Sequence, residues 1–250
     1  MIEQQYIETF QLLFLRQLGE RLDKNHYALK GGCNLRFYLK SIRYSEDIDF
    51  DVKIIAKDTL KLNVRKILAA PSFIKTLASK GISIVEKSEP KQSETTQRWK
   101  VAFQVTGSQL SIHTKIEFSR RNLDSGTSFE AVDSDLTHGY GLYPVYSNHY
   151  DKHTAFHQKI DALIQRTETQ ARDIFDLELL LTAGATISPT AGTDKESLEK
   201  AQNNARSVSY KDFTSQVLAY LLPAFRSGYP EERWNKTVEK TVNLLERMKS

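Results

Sequence analysis

Apolar positions recur at helical spacing from Tyr6 to Leu22, where Phe10, Leu13, Phe14, Leu18 and Leu22 form a stripe. Shorter apolar segments follow. Tyr27-Ala28-Leu29 reads as a strand running into Gly31-Gly32, Asn34 to Leu39 as a helix starting just after the glycines, and Asp47 to Val52 as a second strand. Thr59 to Leu77 is helical, interrupted at Pro71. Ile82 to Glu86, Arg98 to Val105 and Leu110 to Phe118 are strand-like, and the polar stretch Lys87 to Gln97 reads as a mobile hairpin loop. Asn122 to Tyr150, dominated by Gly, Ser, Asp and Tyr, reads as irregular structure crossing to a second domain. Beyond Asp151 the pattern is helical over Thr154 to Ile164, Ala171 to Leu181, Ser197 to Arg206, Tyr210 to Leu222 and Glu231 to Met248, with a loop at Gly184 to Gly192. The expectation is an α+β chain, with an α/β domain over residues 1–148 and a helical domain over residues 149–250.

Composition narrows this only a little. With 250 residues, 40% hydrophobic and 26% charged, the chain is an ordinary globular one. No apolar run approaches the roughly 20 residues that cross a bilayer, and Met1 to Gln5 is polar and acidic, unlike a secretory signal. A cytoplasmic protein with no membrane partner is expected. Cys33 is the sole cysteine, which excludes an intrachain disulfide and a cysteine-rich zinc site. A net charge of +4 permits a nucleotide or nucleic-acid partner without requiring one.

The chemistry concentrates at Lys30-Gly31-Gly32 and Ser45-Glu46-Asp47-Ile48-Asp49-Phe50. In a strand, residues i and i+2 share a face, so Asp47 and Asp49 aim two carboxylates at one spot while Ile48 and Phe50 face the other way. Two hard oxygen ligands suit Mg²⁺, or Mn²⁺, completed by substrate phosphates. The glycines let backbone approach a phosphate, and the following helix N-terminus is an anion seat. Asp51 continues the alternation and reads as a solvated strand-end carboxylate. Glu117 has two readings: a third carboxylate taking the proton of an attacking hydroxyl, or the partner of Lys115 in an ion pair. Lys159 and Arg166 sit two turns apart beside the apolar face of Ile160, Leu163 and Ile164, placed to neutralise phosphate charge. Asp173 and Asp176 either hold those cations or touch substrate. His149, His153 and His157 are spaced to share a helix face, yet no Cys or Glu completes a zinc set. Cys33 reads as a small packed residue.

Leu29-Lys30-Gly31-Gly32-Cys33-Asn34-Leu35-Arg36, Arg43-Tyr44-Ser45-Glu46-Asp47-Ile48-Asp49-Phe50, and Lys159-x-x-Ala162-x-x-x-Arg166 with Arg172-Asp173-x-x-Asp176-Leu177 together resemble the AbiEii/AbiGii toxin family, over roughly residues 25 to 182. The resemblance implies a nucleotidyltransferase fold of the DNA polymerase β superfamily, a mixed sheet flanked by helices. It implies transfer of a nucleoside monophosphate from an NTP to an acceptor, in relatives the 3′ end of tRNA, with a cognate antitoxin as partner. By the same resemblance Gly31, Gly32 and Ser45 line the triphosphate seat with Lys30 beside them, Asp47 and Asp49 bind Mg²⁺ for two-metal in-line transfer, Lys159 meets the triphosphate, and Asp176 is the late family aspartate. Two other readings of the residues stay open: an Asp-x-Asp glycosyltransferase, and a binder of nucleotide or protein without turnover.

Overall fold

In a computed structural model describing residues 1–120, 122–186 and 194–249, the N-terminal apolar stripe forms α1 (Glu3–Gly19), with Phe10, Leu13, Phe14 and Leu18 buried. The chain divides into two units, one of residues 1–40 and 44–150, the other of residues 41–43 and 151–250. Among the described residues no helix is long and apolar enough to cross a membrane.

The first unit is built on a seven-stranded mixed sheet. Its strands are β1 (Tyr27–Lys30), β2 (Ile48–Val52), β3 (Ile82–Gln92), β4 (Thr96–Val105), β5 (Ser111–Ser119), β6 (Thr127–Ala131) and β7 (Tyr146–Tyr150), in the order β3-β4-β5-β2-β1-β7-β6. The β2–β5 and β1–β7 pairs are parallel and the others antiparallel. Alternation of side chains divides the central strands into two faces. Ile48, Phe50, Trp99, Val101, Phe103, Ile116 and Phe118 are buried on one face with residues of α1, α3 (Lys57–Ala69) and α4 (Pro71–Ser79). Phe50 stacks on Phe118 with centroids 4.9 Å apart, and Phe10 of α1 stacks on Phe103 at 5.7 Å. Each such ring contributes about 1.5–3 kcal/mol by burial, which pins the register and so the face on which the carboxylates lie. The α2 helix (Gly31–Tyr38) follows β1 directly, and α5 (Ser134–Gly139) lies between β6 and β7.

Two stretches differ from the sequence expectation. Lys87 to Gln97 is not a loop: β3 continues to Gln92 and β4 begins at Thr96, closed by the Ser93 N–H donating to the Thr96 carbonyl at 2.9 Å. Its polar side chains are used, with Glu89 held by Arg65 at 2.6 Å and by the Trp99 indole N–H at 3.2 Å, and Lys87 donating to the Leu68 carbonyl at 3.3 Å. Asn122 to Tyr150 contains β6, α5 and β7. The β7 residues Ser147, Asn148 and His149 are polar yet buried, because each finds partners inside. Asn148 Nδ2 donates to the Tyr27 carbonyl at 2.9 Å, and the His149 ring stacks 3.6 Å from that of Tyr38. His149 therefore sits on a strand, on no helix face shared with His153 and His157.

The second unit contains α6 (Lys152–Gln165), α7 (Ala171–Thr182), α8 (Lys195–Ser207), α9 (Tyr210–Gln216) and α10 (Glu231–Arg247). Ile160, Leu163, Ile174, Leu177, Phe213 and Trp234 are buried in it, with Phe213 stacked on Trp234 at 4.5 Å. The helix expected to reach Leu222 ends at Gln216 and passes into short 3₁₀ turns. Ser41–Arg43 joins this unit through an antiparallel bridge between Arg43 and Leu221 and the Leu222 N–H bond to the Ile42 carbonyl at 2.9 Å. Of the loop expected at Gly184 to Gly192, positions 187–192 lie outside the described residues.

Candidate active site

Strand β1 ends at Lys30, and Gly31 turns the chain into α2 with φ of +66°. A Cβ there would stand 3.1 Å from Asp49 Oδ2. Both the left-handed backbone and this close approach call for glycine. The register sets Asp49 opposite Lys30 on one side and beside Glu117 on the other. Asp47 immediately precedes β2 and keeps the expected alternation, Asp47 and Asp49 being partly exposed while Ile48 and Phe50 are buried.

The loop that carries Asp47 is clamped from three elements. Gln11 of α1 donates to the Ser45 carbonyl at 3.0 Å, and Thr114 of β5 donates to the Glu46 carbonyl at 2.7 Å. The Asp47 carbonyl accepts from Ser45 Oγ at 2.8 Å and from Cys33 Sγ of α2 at 3.2 Å. Burial pushes the Cys33 thiol well above its ordinary value, in keeping with a packed residue rather than a nucleophile. The Asp47 carboxylate itself accepts from the Lys115 backbone N–H at 3.2 Å and pairs with Lys115 Nζ at 2.7 Å.

Glu117 is paired with Arg98 at 2.6 Å, not with Lys115. The pair-with-Lys115 reading fails because each of these same-face residues has a better-placed partner, Arg98 directly across on β4 and Asp47 at the mouth of β2. The hydrogen bond to Glu117, with the fields of Asp47 and Asp49 added, raises the Arg98 guanidinium above its ordinary value. Asp51 is not solvated. It is 7% exposed, pairs with Lys30, and accepts from the Tyr150 hydroxyl at 3.0 Å. Burial and then Asp51 push the Tyr150 phenol upward.

Among the described residues, no group of three or more His, Cys, Asp or Glu is arranged to hold a metal. Asp47 and Asp49 nevertheless fit Mg²⁺ by the chemistry of the donor set: two partly exposed carboxylates on one strand face, that of Asp49 against the Gly31 backbone, with further ligands left to phosphate and water.

In the second unit, Lys159 Nζ lies 2.9 Å from Asp173 Oδ1 and 2.7 Å from Asp176 Oδ2. Arg43 grips both oxygens of Asp176, Nη2 to Oδ2 at 2.8 Å and Nε to Oδ1 at 3.2 Å. Arg166 Nε stands 3.1 Å from Asp173 Oδ2. Three residues apart on α7, the two aspartates share a face, and neither has exposed surface. Burial alone would raise the Asp176 carboxyl, but Arg43 and Lys159 outweigh it and hold it below its ordinary value. Of the two roles open for Asp173 and Asp176, the geometry is that of holding the cations. Arg43 was not among the expected site residues. Its only signal is its place two residues ahead of Ser45, since its partner lies 133 positions away.

Residues 13–247 match the family model described as nucleotidyl transferase AbiEii toxin, type IV TA system. No curated protein matches the sequence. Among solved structures, JHP933 from Helicobacter pylori is similar over 100% of this chain and 93% of its own, with a TM-score of 0.62 and 17% identity. MenT4, a nucleotidyltransferase toxin from Mycobacterium tuberculosis, is similar over 98% of this chain and 92% of its own, with a TM-score of 0.58 and 16% identity. At such identities the likeness to solved structures carries the fold alone.

Proposed function

The chain belongs to the AbiEii nucleotidyltransferase toxin family of type IV toxin–antitoxin systems, and from that premise we propose that it transfers a nucleoside monophosphate from an NTP to the 3′ end of an RNA, with tRNA as the acceptor and a cognate antitoxin opposing it. The observation that carries the proposal is the apposition of the Gly31 backbone and the Asp49 carboxylate, where an added Cβ would stand 3.1 Å from Asp49 Oδ2; we read the first as a phosphate seat and the second as a metal ligand. Family membership displaces the glycosyltransferase reading.

The reaction is in-line. The acceptor 3′-hydroxyl oxygen forms a bond to the α-phosphorus, the bond to the bridging oxygen breaks, and pyrophosphate leaves. Gly31, Gly32 and the N-terminus of α2 bind phosphate oxygens through backbone N–H groups. Asp47 and Asp49 would hold Mg²⁺, which when bound supplies neutralising charge and acidifies the attacking hydroxyl in a two-metal mechanism. Glu117 takes the hydroxyl proton, and Arg98, 2.6 Å from it, holds its carboxylate in place. Ser45 and Lys115 fix the backbone and carboxylate of Asp47. Lys30 is paired with Asp51, so its part in nucleotide binding is to hold the corner where β1 passes into α2. Within the second unit Asp176, paired with Lys159 and Arg43, acts through those cations as a positioning residue.

Asp49→Ala is expected to lower transfer of label from an α-labelled NTP to RNA by at least roughly 10³-fold, about 4 kcal/mol of transition-state stabilisation, while circular dichroism shows an intact fold. Full transfer by the variant would remove Asp49 from the mechanism.

A further inference from the structure

The face of the sheet that carries Asp49 continues outward from β2 across β5, β4 and β3, and its side chains form two cross-strand rows. The first runs Asp49, Glu117, Arg98, Lys91. The second runs Lys115, Lys100, Ser88, and begins beside Asp47 through the Lys115 ion pair. Lys91 and Arg98 are thus directly opposite each other, and so are Lys100 and Lys115. Like charges placed directly across a ladder destabilise a sheet. Two such pairs on adjacent strands are a standing cost unless something anionic lies over them.

Only part of this charge is balanced within the first unit. Arg98 has Glu117 and Lys115 has Asp47. Among the described residues Lys91 and Lys100 have no ion-pair partner, and both are exposed. The next row contains Glu86, Ala102 and His113, so the cationic strip is bounded on one side by an acid.

We propose that this face of β3, β4 and β5 seats the phosphodiester backbone of the acceptor RNA and delivers its 3′ end to Asp47 and Asp49. The inference rests on the transfer reading given above. Two features favour RNA over the NTP and over an acidic protein. Three strand-to-strand steps of about 4.8 Å carry the strip roughly 14 Å from β2 to β3, long enough for several successive phosphates at the roughly 3.4 Å per nucleotide of a stacked strand and too long for a triphosphate held at α2. The strip also runs without a break into the carboxylates that handle phosphate, as a substrate path would.

The test uses the full chain with Lys91→Gln and Lys100→Gln combined; neither residue belongs to the transfer machinery. Affinity for a labelled single-stranded RNA is read against KCl concentration, and transfer kinetics are read with RNA and NTP varied separately. The expected result is a KM for RNA raised about tenfold, kcat and the KM for NTP unchanged, and a log–log salt slope shallower by about 1.4, two phosphates at about 0.7 each on a single strand. Lys91→Arg with Lys100→Arg should restore both the RNA KM and the salt slope. An unchanged slope and RNA KM in an enzyme that still transfers to RNA would overturn the docking face and leave the transfer reading standing. A shallower slope in a protein that transfers to no RNA would support the docking face and sink the transfer reading. Unchanged RNA affinity together with lost binding of a polyglutamate peptide would overturn the RNA assignment in favour of an acidic protein.

Discussion

At the scale of single residues, the site turns on one glycine. Gly31 adopts φ of +66°, and an added Cβ would press on Asp49 Oδ2 at 3.1 Å. Gly31→Ala is therefore expected to cost about 1–2 kcal/mol of stability for the left-handed backbone, measured by urea denaturation. It should lower transfer more than tenfold, because Asp49 must move to make room. Wild-type transfer in a stably folded variant would show that the close approach has no part in the chemistry. The Gly-Gly turn and the Asp-x-Asp alternation were legible in the chain, since both depend on local backbone geometry. The partners of the charged groups were not. Lys30, Glu117 and Asp51 each pair with a residue brought in by another strand, and Asp51 is buried where a solvated carboxylate was expected.

At the scale of elements, local period governed what could be read. The apolar stripe of α1 and the alternation of β2, β4 and β5 stand out because one face of each is apolar. The second half of β3 and all of β7 were hidden, because their polar residues are satisfied by side chains of α3 or by backbone of neighbouring strands. The α6–α7 pair was legible as helices, but the buried ion cluster needs Arg43, which no helical spacing connects to Asp176. Asp176→Asn leaves Arg43 and Lys159 with an uncompensated buried charge, and a loss of about 3–5 kcal/mol in stability is expected. The pH dependence follows from the sign of the shift. A carboxyl depressed in the folded state contributes stability that is fully present above its ordinary value of 3.8 and is lost as pH falls toward the folded-state value. The wild type should accordingly lose stability below about pH 4 more steeply than Asp176→Asn, as urea midpoints measured across that range would show. Equal steepness in the two proteins would mean that the cluster does not depress Asp176.

At the scale of the whole molecule, the α+β organisation and the mixed sheet agree with the expectation from the sequence, and the family match extends over residues 13–247. The chain enters the second unit for Ser41–Arg43, returns to the first at Tyr44 and reaches Asp47 three residues later. Base choice and acceptor identity have no local signature in the chain, because both depend on surfaces assembled from distant segments. The measurement that bears most directly on the central claim is incorporation of each of the four α-labelled NTPs, with Mg²⁺, into total RNA by the intact protein, with Asp49→Ala as control. The account predicts label from one or a subset of the NTPs in a tRNA-sized band, absent from the variant. Label confined to protein, or no label with any NTP at any Mg²⁺ or Mn²⁺ concentration, would contradict it.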